Sequence, residues 1–405
     1  MFGAIAEGRS QIEGVLLGED CLATADALRA LGVTITAGAA GQFTVDGVGL
    51  HGLQPSTTPL DFGNSGTGMR LMCGLLAAQR FASVLVGDAS LSRRPMLRVT
   101  DPLTRMGAHI ETTAGHAPLR ITPGRGLAGI RYELPVASAQ LKSALLIAGL
   151  YADSATTLLP GPPSRDHTER MLAAMGAEVE MTSTTVSIRP ASRLAPLSLK
   201  VPADLSSAAF LLVAASIVPG SEVTLPGVGL NPSRDGVLTI LDRMGADIQR
   251  VDERIESGEP VADLVVRARA LQGADIPAAL VPLAIDEFPV LFVAAAAASG
   301  RSHFSGLAEL RHKETDRISA MTRGLAALGI SVEEGPDWVT IEGGTVNGGR
   351  IDSEDDHRIA MSFAVAGAIA EGPVEIEKPE NIATSFPGFV ALANACGLSL
   401  ALSET

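Results

Sequence analysis

Aromatic residues and cysteines are scarce in this sequence of 405 residues, and negative charge outweighs positive charge. Aromatic side chains make up only 3% of the chain, so a core must be built mainly from Ala, Val, Leu, Ile and Met. The net charge of -14 argues against a protein that coats nucleic acid or an anionic membrane surface. An anionic small molecule is not excluded, because local groups of Arg and Lys decide whether one binds.

Metal, disulfide and cofactor motifs are missing as well. Cys21, Cys73 and Cys396 are far apart and odd in number, and the seven histidines do not cluster, so we predict neither a metal site nor a disulfide framework. There is no Walker loop, and no strand is followed by GxGxxG, so no dinucleotide site is indicated. Residues 1–8 lack the pattern of a signal peptide, and the apolar stretch at 288–298 is too short to span a membrane. The simplest interpretation is a cytoplasmic protein.

The most informative feature present is an internal repeat. A helix-like segment that ends in Leu-x-x-(Met/Leu)-Gly precedes a strand-like apolar run, and this motif recurs about every 70 residues. The glycine of each copy supplies the left-handed backbone that ends a helix. Each unit is predicted to run strand, helix, strand, helix, strand, and three units per half predict domains over residues 1–201 and 202–405. The six glycines are Gly32, Gly107, Gly176, Gly245, Gly329 and, in a looser copy, Gly397.

A second recurring element is an Ala-rich helix that begins in a polar cluster. Ser, Asp and Asn are good helix caps, and helix N-termini attract anions. The predicted first residues of these five clusters are Asn64, Ser138, Asp204, Asp286 and Asp355.

The first unit differs from the others at its start. The sequence GAIAEG occurs at residues 3–8 and again at 367–372, where it ends the helix predicted near Asp355. Residues 3–8 have no such helix before them, so we expect the first unit to lack its opening segment. The alternative is a first helix that is naturally short.

Two loops and one helix start are basic within this acidic chain. Because Arg binds carboxylate and phosphate groups through two parallel bonds, such loops at equivalent places in a repeat predict a cleft for a small substrate with several anionic groups. Ordinary surface salt bridges are the alternative for any single residue. The cations are Arg93, Arg94, Arg311, Lys313, Arg317 and Arg358.

Carboxylates and a Gly-rich segment accompany these cations. Asp286 and Glu314 could act as an acid and a base beside bound anions. Spacing alone, however, favours a helix cap for Asp286 and an ion pair within a helix for Glu314. The Gly-rich segment at 64–68 could present backbone N–H groups to an oxyanion, or it could be a turn followed by a cap.

Seven motifs together resemble one known family. FGNSGTGMR, GDASLSRRPM, SAQLKSALL, SRDHTE, IDEFP, KETDR and DDHRIAM occur in this order. They are similar to the motif series of the 5-enolpyruvylshikimate-3-phosphate synthases, in particular of their second class, and the resemblance runs from residue 1 to about residue 389. It implies a mixed α/β fold of the α+β type, with two similar domains of three βαβαββ repeats about a pseudo-threefold axis and an active site in the cleft between them.

The resemblance also implies a reaction and its residues. Phosphoenolpyruvate would transfer its enolpyruvyl group to shikimate 3-phosphate and release phosphate, without metal or cofactor, with Asp286 as the base and Glu314 as the acid. The implied phosphoenolpyruvate-binding residues are Gly66, Arg94, Gln140, Arg317 and Arg358. The implied shikimate 3-phosphate-binding residues are Ser138, Ala139, Gln140, Asp286, Lys313, Ser164 and Arg165, with Asn64 and Thr67 near the site. We expect a monomer that binds no nucleic acid and no membrane.

The sequence departs from this family in places. The family's usual first motif, similar to PGDKSxSHRxL, is missing before residue 1, so we expect a chain that is weakly active or inactive and less stable. Thr384 stands where the first class carries a substrate-binding Lys, and Gly66 stands where some glyphosate-insensitive enzymes carry Ala. Two alternatives stay open: the sister transferase that acts on UDP-N-acetylglucosamine, and a noncatalytic relative that binds a small anion.

Overall fold

A computed structural model describes residues 1–39, 41–136, 138–159 and 164–402. The chain divides into two compact units, Met1–Val201 and Pro202–Thr405. Each unit has its own hydrophobic core, and neither core shares a buried residue with the other.

The first unit contains twelve strands and five α-helices among its described residues. The strands are β1 (Glu7–Glu13), β2 (Thr34–Ala37), β3 (Phe43–Val48), β4 (Leu60–Asp61), β5 (Ser83–Val86), β6 (His109–Thr113), β7 (His116–Thr122), β8 (Arg131–Glu133), β9 (Thr156–Leu159), β10 (Val179–Met181), β11 (Val186–Ile188) and β12 (Ser198–Lys200). The helices are α1 (Glu19–Ala30), α2 (Gly66–Leu76), α3 (Leu97–Arg105), α4 (Ala139–Gly149) and α5 (His167–Ala174).

The three sheets of the first unit share one topology. Their strand orders are β12-β1-β3-β2, β4-β5-β7-β6 and β8-β9-β11-β10. In each sheet the first pair is parallel and the next two pairs are antiparallel. The predicted repeat is therefore confirmed as a repeat of four-stranded sheets.

The second unit contains nine strands and eight α-helices in the part of the chain that the structure describes. The strands are β13 (Glu222–Gly229), β14 (Asp247–Glu256), β15 (Glu259–Arg267), β16 (Asp275–Ile276), β17 (Arg301–Ser305), β18 (Ser331–Glu334), β19 (Trp338–Glu342), β20 (Gly349–Asp352) and β21 (Val374–Glu377). The helices are α6 (Leu205–Ile217), α7 (Gly236–Arg243), α8 (Val281–Ala284), α9 (Phe288–Ala297), α10 (Arg317–Ala327), α11 (His357–Gly367), α12 (Ile382–Ser385) and α13 (Phe389–Ala395).

The sheets of the second unit follow the same plan less completely. The order β16-β17-β19-β18 repeats the four-stranded pattern, β13-β15-β14 has three strands, and β20-β21 is a parallel pair. The strand predicted after Gly397 is wrong for the described residues, which end at 402. Its physical reason is local, because the Asn394 side chain bonds the N–H and the C=O of Leu400, at 2.7 and 2.8 Å.

The six glycines of the repeat end their helices as predicted. Each lies two residues beyond the last residue of α1, α3, α5, α7, α10 or α13. Their φ angles run from +82° to +102°, a backbone region that residues other than glycine rarely adopt. The repeated motif is therefore a helix stop that the backbone geometry requires.

The polar clusters begin helices as predicted, and in three of them the cap position is the second residue of the cluster. Ser65 rather than Asn64 caps α2, through Oγ, which accepts from the N–H of Gly68. Asp356 rather than Asp355 caps α11, because Asp355 has a left-handed φ of +59° and an N-cap needs extended backbone. At α9 the cap position belongs to Glu287, not to Asp286. Ser138 and Asp204 cap α4 and α6 as predicted.

Small residues let two helices of the first unit approach closely. A Cβ atom placed on Gly74 in α2 would lie 2.2 Å from the carbonyl oxygen of Ala144 in α4. This close packing fixes α4, which carries three predicted substrate-binding residues at its start, against α2, which carries Gly66 and Thr67.

Among the described residues, no single helix is long and apolar enough to cross a membrane. The bent pair Ala278–Ala284 and Phe288–Ala297, at 120° to each other, has the necessary length and composition only when both helices are taken together. Within the same described ranges no group of three or more His, Cys, Asp or Glu side chains could hold a metal ion.

Candidate active site

Asp286 lies at the junction of α8 and α9 in the second unit, where it contacts two cations. Nζ of Lys313 donates to Oδ1 of Asp286 at 3.1 Å. Nη1 of Arg317 lies 3.5 Å from the same oxygen. The cap role that spacing favoured for Asp286 is therefore wrong, because the carboxylate faces these cations.

Arg317 is the buried centre of this cluster, with 2% of its side chain exposed. Its Nε donates to Oδ2 of Asp356 at 2.8 Å, and its Nη2 donates to Oε2 of Glu314 at 2.6 Å. Burial by itself would lower the pKa of Arg317, but Asp356, Glu314 and Asp286 together raise that pKa above its ordinary value. The guanidinium therefore stays charged and joins the two carboxylates predicted to act as base and acid.

Glu314 does form the ion pair that spacing favoured, but it does so from a position before the helix. Glu314 precedes α10 rather than lying inside it, and 27% of its side chain is accessible. One carboxylate oxygen bonds Arg317, the first residue of that helix. An accessible acid held by a buried cation can also meet a ligand, so the ion pair and a chemical role are compatible.

Arg358 is held by the residue pair at the start of α9. Its Nη1 donates to the carbonyl oxygen of Asp286 at 2.9 Å and lies 3.8 Å from Oε1 of Glu287. Glu287 is buried and accepts a hydrogen bond from Ser206 Oγ, to which Arg234 also donates at 2.7 Å. The guanidinium is thus fixed beside the main chain of the predicted base.

His357 lies between Asp356 and Arg358 at the first position of α11. Burial first, and the neighbouring charge of Arg358 second, lower the pKa of His357 to about 4. The imidazole is therefore neutral near pH 7 and adds no positive charge to this cluster.

In the first unit, Arg94 is fixed by the Gly-rich segment that precedes α2. Its Nη2 donates to Oδ1 of Asn64 at 2.6 Å. The amide nitrogen of Asn64 donates in turn to Oδ2 of Asp88 at 2.8 Å. Asn64, predicted near the site, therefore orients a predicted phosphoenolpyruvate-binding arginine.

Gly66 lies under two guanidinium groups. A Cβ atom there would be 3.1 Å from Nη1 of Arg70 and 3.1 Å from Nη1 of Arg94. Arg70 was not among the residues predicted from the sequence, although it follows Gly66 by one helical turn within FGNSGTGMR. Its position in the same motif was the available signal.

Gln140 joins the starts of α2 and α4. Its Oε1 accepts from Nη1 of Arg70 at 2.8 Å, and its Nε2 donates to Oγ1 of Thr67 at 2.7 Å. Gly66, Thr67, Arg94 and Gln140 are therefore brought together in the first unit, with Arg70 as an additional cation.

The remaining predicted residues of the first unit lie around the start of α4. Ser138 is buried and its Oγ accepts from the N–H of Leu141 at 3.3 Å, while Ala139 and Gln140 are half-buried. Ser164 and Arg165, also half-buried, precede α5. The carbonyl oxygen of Ser164 accepts from Nζ of Lys142 at 3.3 Å, which ties this segment to α4.

Two of the predicted cations lie outside these clusters. Arg93 is exposed at the end of a short 3-10 turn. Arg311 bonds Asp316 at 2.6 Å and the carbonyl oxygen of Pro336 at 2.8 Å. Neither contacts the clusters around Asp286 or Gly66 among the hydrogen bonds described, so Arg311 serves the structure of its loop.

The chain is similar to known proteins over nearly its whole length. The family profile described as EPSP synthase (3-phosphoshikimate 1-carboxyvinyltransferase) matches residues 1–392. A 3-phosphoshikimate 1-carboxyvinyltransferase of Xanthomonas campestris pv. campestris (strain B100) is 57% identical over 401 residues, which cover 99% of this chain and 92% of that protein. The enzyme of the same name from Methylococcus capsulatus is 54% identical over 404 residues, covering 100% of this chain and 92% of that protein.

Solved structures show the same likeness. An EPSP synthase from Acinetobacter baumannii superposes with a TM-score of 0.91 at 49% sequence identity, covering 100% of this chain and 93% of that chain. A second structure of that enzyme gives a TM-score of 0.90 at 48% identity. The predicted enolpyruvyl transferase fold is confirmed by these superpositions.

Proposed function

Since the chain belongs to the EPSP synthase family, we propose that it transfers the enolpyruvyl group of phosphoenolpyruvate to the 5-hydroxyl of shikimate 3-phosphate and releases phosphate. The observation that supports this most directly is the attachment of two carboxylates, Asp286 and Glu314, to the one buried guanidinium of Arg317. A base and an acid held on a shared cation suit a reaction that both removes and supplies a proton.

The proposed chemistry is an addition followed by an elimination. Asp286 takes the proton of the 5-hydroxyl while the hydroxyl oxygen bonds to C2 of phosphoenolpyruvate. At the same time Glu314 gives a proton to the methylene carbon C3. The tetrahedral intermediate then loses a proton from C3 and phosphate from C2, which restores the double bond. Fixed cations stabilise the charge that develops during the reaction, and they need no reorganisation to do so, whereas water molecules would have to reorient.

We assign phosphoenolpyruvate binding to Gly66, Arg94 and Gln140 in the first unit and to Arg317 and Arg358 in the second. Support comes from the bonds that hold these groups before any ligand arrives. Arg94 is fixed by Asn64 at 2.6 Å, and Arg358 is fixed by the carbonyl of Asp286 at 2.9 Å. Arginines in fixed positions match the planar carboxylate and the phosphate of this substrate.

We assign shikimate 3-phosphate to the start of α4, to the segment before α5, to the loop before α10 and to Asp286 between α8 and α9. The first turn of α4 offers backbone N–H groups, which favour a phosphate. Lys313 adds a cation that also contacts Asp286. The residues proposed for this substrate are Ser138, Ala139, Gln140, Ser164, Arg165, Asp286 and Lys313.

We further propose that the protein works as a monomer in the cytoplasm. All residues assigned to the two substrates belong to one chain, and both substrates are small molecules. A specific activity that does not change with protein concentration, together with a monomeric mass in sedimentation, would support this.

The deciding experiment measures phosphate release by the purified chain with both substrates, with each substrate alone, and with UDP-N-acetylglucosamine as the acceptor. Release that requires both phosphoenolpyruvate and shikimate 3-phosphate is expected. Calorimetric binding of shikimate 3-phosphate gives a second readout that detects the site even when turnover is slow. Folded protein that neither binds shikimate 3-phosphate nor releases phosphate with it would overturn the proposal.

A further inference from the structure

A buried ion pair in the first unit has no part in the chemistry described so far. Nζ of Lys142 in α4 lies 2.6 Å from Oε1 of Glu169 in α5, and their side chains are 4% and 0% exposed. Among the described residues, neither carboxylate oxygen of Glu169 has a hydrogen-bond partner of regular geometry. The ammonium of Lys142 is therefore the charge that compensates Glu169.

Stability alone gives a weak reason for such a pair. Two charges that are taken out of water lose hydration free energy, and their mutual attraction seldom outweighs that loss. Apolar side chains of similar volume often stabilise the same position as well or better. A buried pair of this kind needs a further explanation, and its other contact supplies one.

That contact is with the proposed substrate site. Nζ of Lys142 also donates to the carbonyl oxygen of Ser164 at 3.3 Å. Ser138, Ala139 and Gln140 lie one turn before Lys142 on the same helix. One ammonium thus connects the two segments of the first unit to which shikimate 3-phosphate is assigned.

Arg165 follows Ser164 and is flanked on its other side by a second fixed residue, Asp166. The single Nε–H of Arg170 in α5 is shared by both carboxylate oxygens of Asp166, each at 3.0 Å. Arg165 therefore lies between Ser164, which is held to α4, and Asp166, which is held to α5. An arginine carried by an anchored segment loses less freedom when it binds a phosphate or carboxylate.

We propose that Lys142 and Glu169 are a positioning pair that fixes Ser164 and Arg165 relative to the start of α4, and so sets the affinity for shikimate 3-phosphate. Glu169 holds the ammonium, and the ammonium holds the Ser164 carbonyl. This inference rests on the proposed function, since it concerns the same substrate.

The test uses the double variant K142M/E169L, which removes both charges and so avoids an uncompensated buried ion. We expect a thermal midpoint close to that of the wild type, faster backbone hydrogen exchange over residues 164–170, and about tenfold weaker binding of shikimate 3-phosphate by calorimetry. The KM for phosphoenolpyruvate should change less than twofold, because Ser164 and Arg165 are assigned to shikimate 3-phosphate alone.

A matched control separates positioning from helix packing. Ser143 Oγ and Thr168 Oγ1 also join α4 to α5, at 2.7 Å, without contact to Ser164. The variant S143A/T168V should therefore leave shikimate 3-phosphate binding unchanged. Equal weakening in both double variants, or unchanged binding and exchange in K142M/E169L, overturns the positioning role. Absence of shikimate 3-phosphate binding by the wild type would instead refute the proposed function, while the exchange measurement still tests whether the pair fixes the segment.

Discussion

Nζ of Lys313 donates a hydrogen bond to Oδ1 of Asp286 at 3.1 Å. A residue assigned to substrate binding therefore contacts the proposed base directly. Substrate that occupies Lys313 would then be in reach of the carboxylate that takes its proton. This contact makes Asp286 the first position to test.

Replacing Asp286 by Asn keeps the size and planarity of the side chain but removes the base. We expect kcat to fall by about 10²- to 10⁴-fold, the range typical of lost general base catalysis. Steady-state phosphate release at saturating substrate measures the change. Asp275→Asn, at an exposed carboxylate of the same unit, is the control and should keep wild-type activity. A kcat within twofold of wild type for D286N would refute the assignment.

Gly66→Ala tests the space beneath the two arginines. The added methyl group would lie 3.1 Å from Nη1 of both Arg70 and Arg94, so these flexible ends must move by a few tenths of an ångström. We expect the KM for phosphoenolpyruvate to rise about fivefold, equivalent to about 1 kcal/mol, with little change for shikimate 3-phosphate. Gly344→Ala, where the nearest atom is 4.0 Å away, is the matched control. An equal effect on both substrates would contradict a specific role in phosphoenolpyruvate binding.

Asp356→Asn separates two roles of one buried residue. Asn caps a helix about as well as Asp, so α11 should keep its cap. One of the three carboxylates around Arg317 loses its charge while Glu314 and Asp286 remain. The weakened pairing of a buried guanidinium should reduce the free energy of unfolding by about 2 kcal/mol. Urea denaturation measures this loss. Asp46→Asn breaks an exposed pair with Arg9 and should change stability little. Equal stability of D356N and wild type would show that the pair of Asp356 with Arg317 does not contribute to stability.

His357 predicts a pH dependence whose sign follows from its lowered pKa. The unfolded histidine titrates near its ordinary pKa of 6.5 and the folded one near about 4, so the unfolded state binds more protons between these values. The stabilisation is present above about pH 6.5 and is lost as pH falls toward about 4. The loss amounts to about 2 kcal/mol at about pH 5. Urea denaturation at about pH 7.5 and about pH 5 should show this loss in the wild type and a smaller one in His357→Gln. Equal losses would refute the prediction.

Gly74→Ala tests the contact of α2 with α4. An added Cβ would lie 2.2 Å from the Ala144 carbonyl oxygen, so the two backbones must separate. Overpacking of this kind costs about 1–3 kcal/mol, and we expect a loss of stability at the upper end of that range. Gly388→Ala, where a Cβ meets no atom within 4 Å, is the control for the general effect of Gly→Ala. A stability change equal in the two variants would mean that the helices are not closely packed.

The sequence predicted what depends on short-range spacing. The helix stop at Gly107 and the cap at Ser138 follow from backbone geometry and local hydrogen bonding, and both are observed. In the cluster that begins at Asn64 the cap is Ser65, while the Asn64 side chain bonds Arg94, thirty residues further along the chain. Such a partner changes a local preference and leaves no periodic signal.

The candidate site was predicted by residue type and resemblance, while its internal contacts were not. Glu287 beside Arg358 and Gln140 beside Arg70 join residues separated by about 70 positions, roughly one repeat. Equivalent loops of neighbouring repeats meet in this way, but which atoms bond depends on side-chain packing. The roles of the site residues stay predictions until the variants are measured.

The parallel pairing of β1 with β12 has a consequence for synthesis. Gln11 pairs with Ser198, so the first sheet of the first unit closes only when nearly the whole unit has been translated. At about 5–20 residues per second, the edge of β1 waits about 10–40 s for its partner while the intervening repeats emerge. During that interval the nascent chain presents an unpaired strand edge, so this unit needs protection from aggregation on the ribosome more than a fold built only from neighbouring segments would.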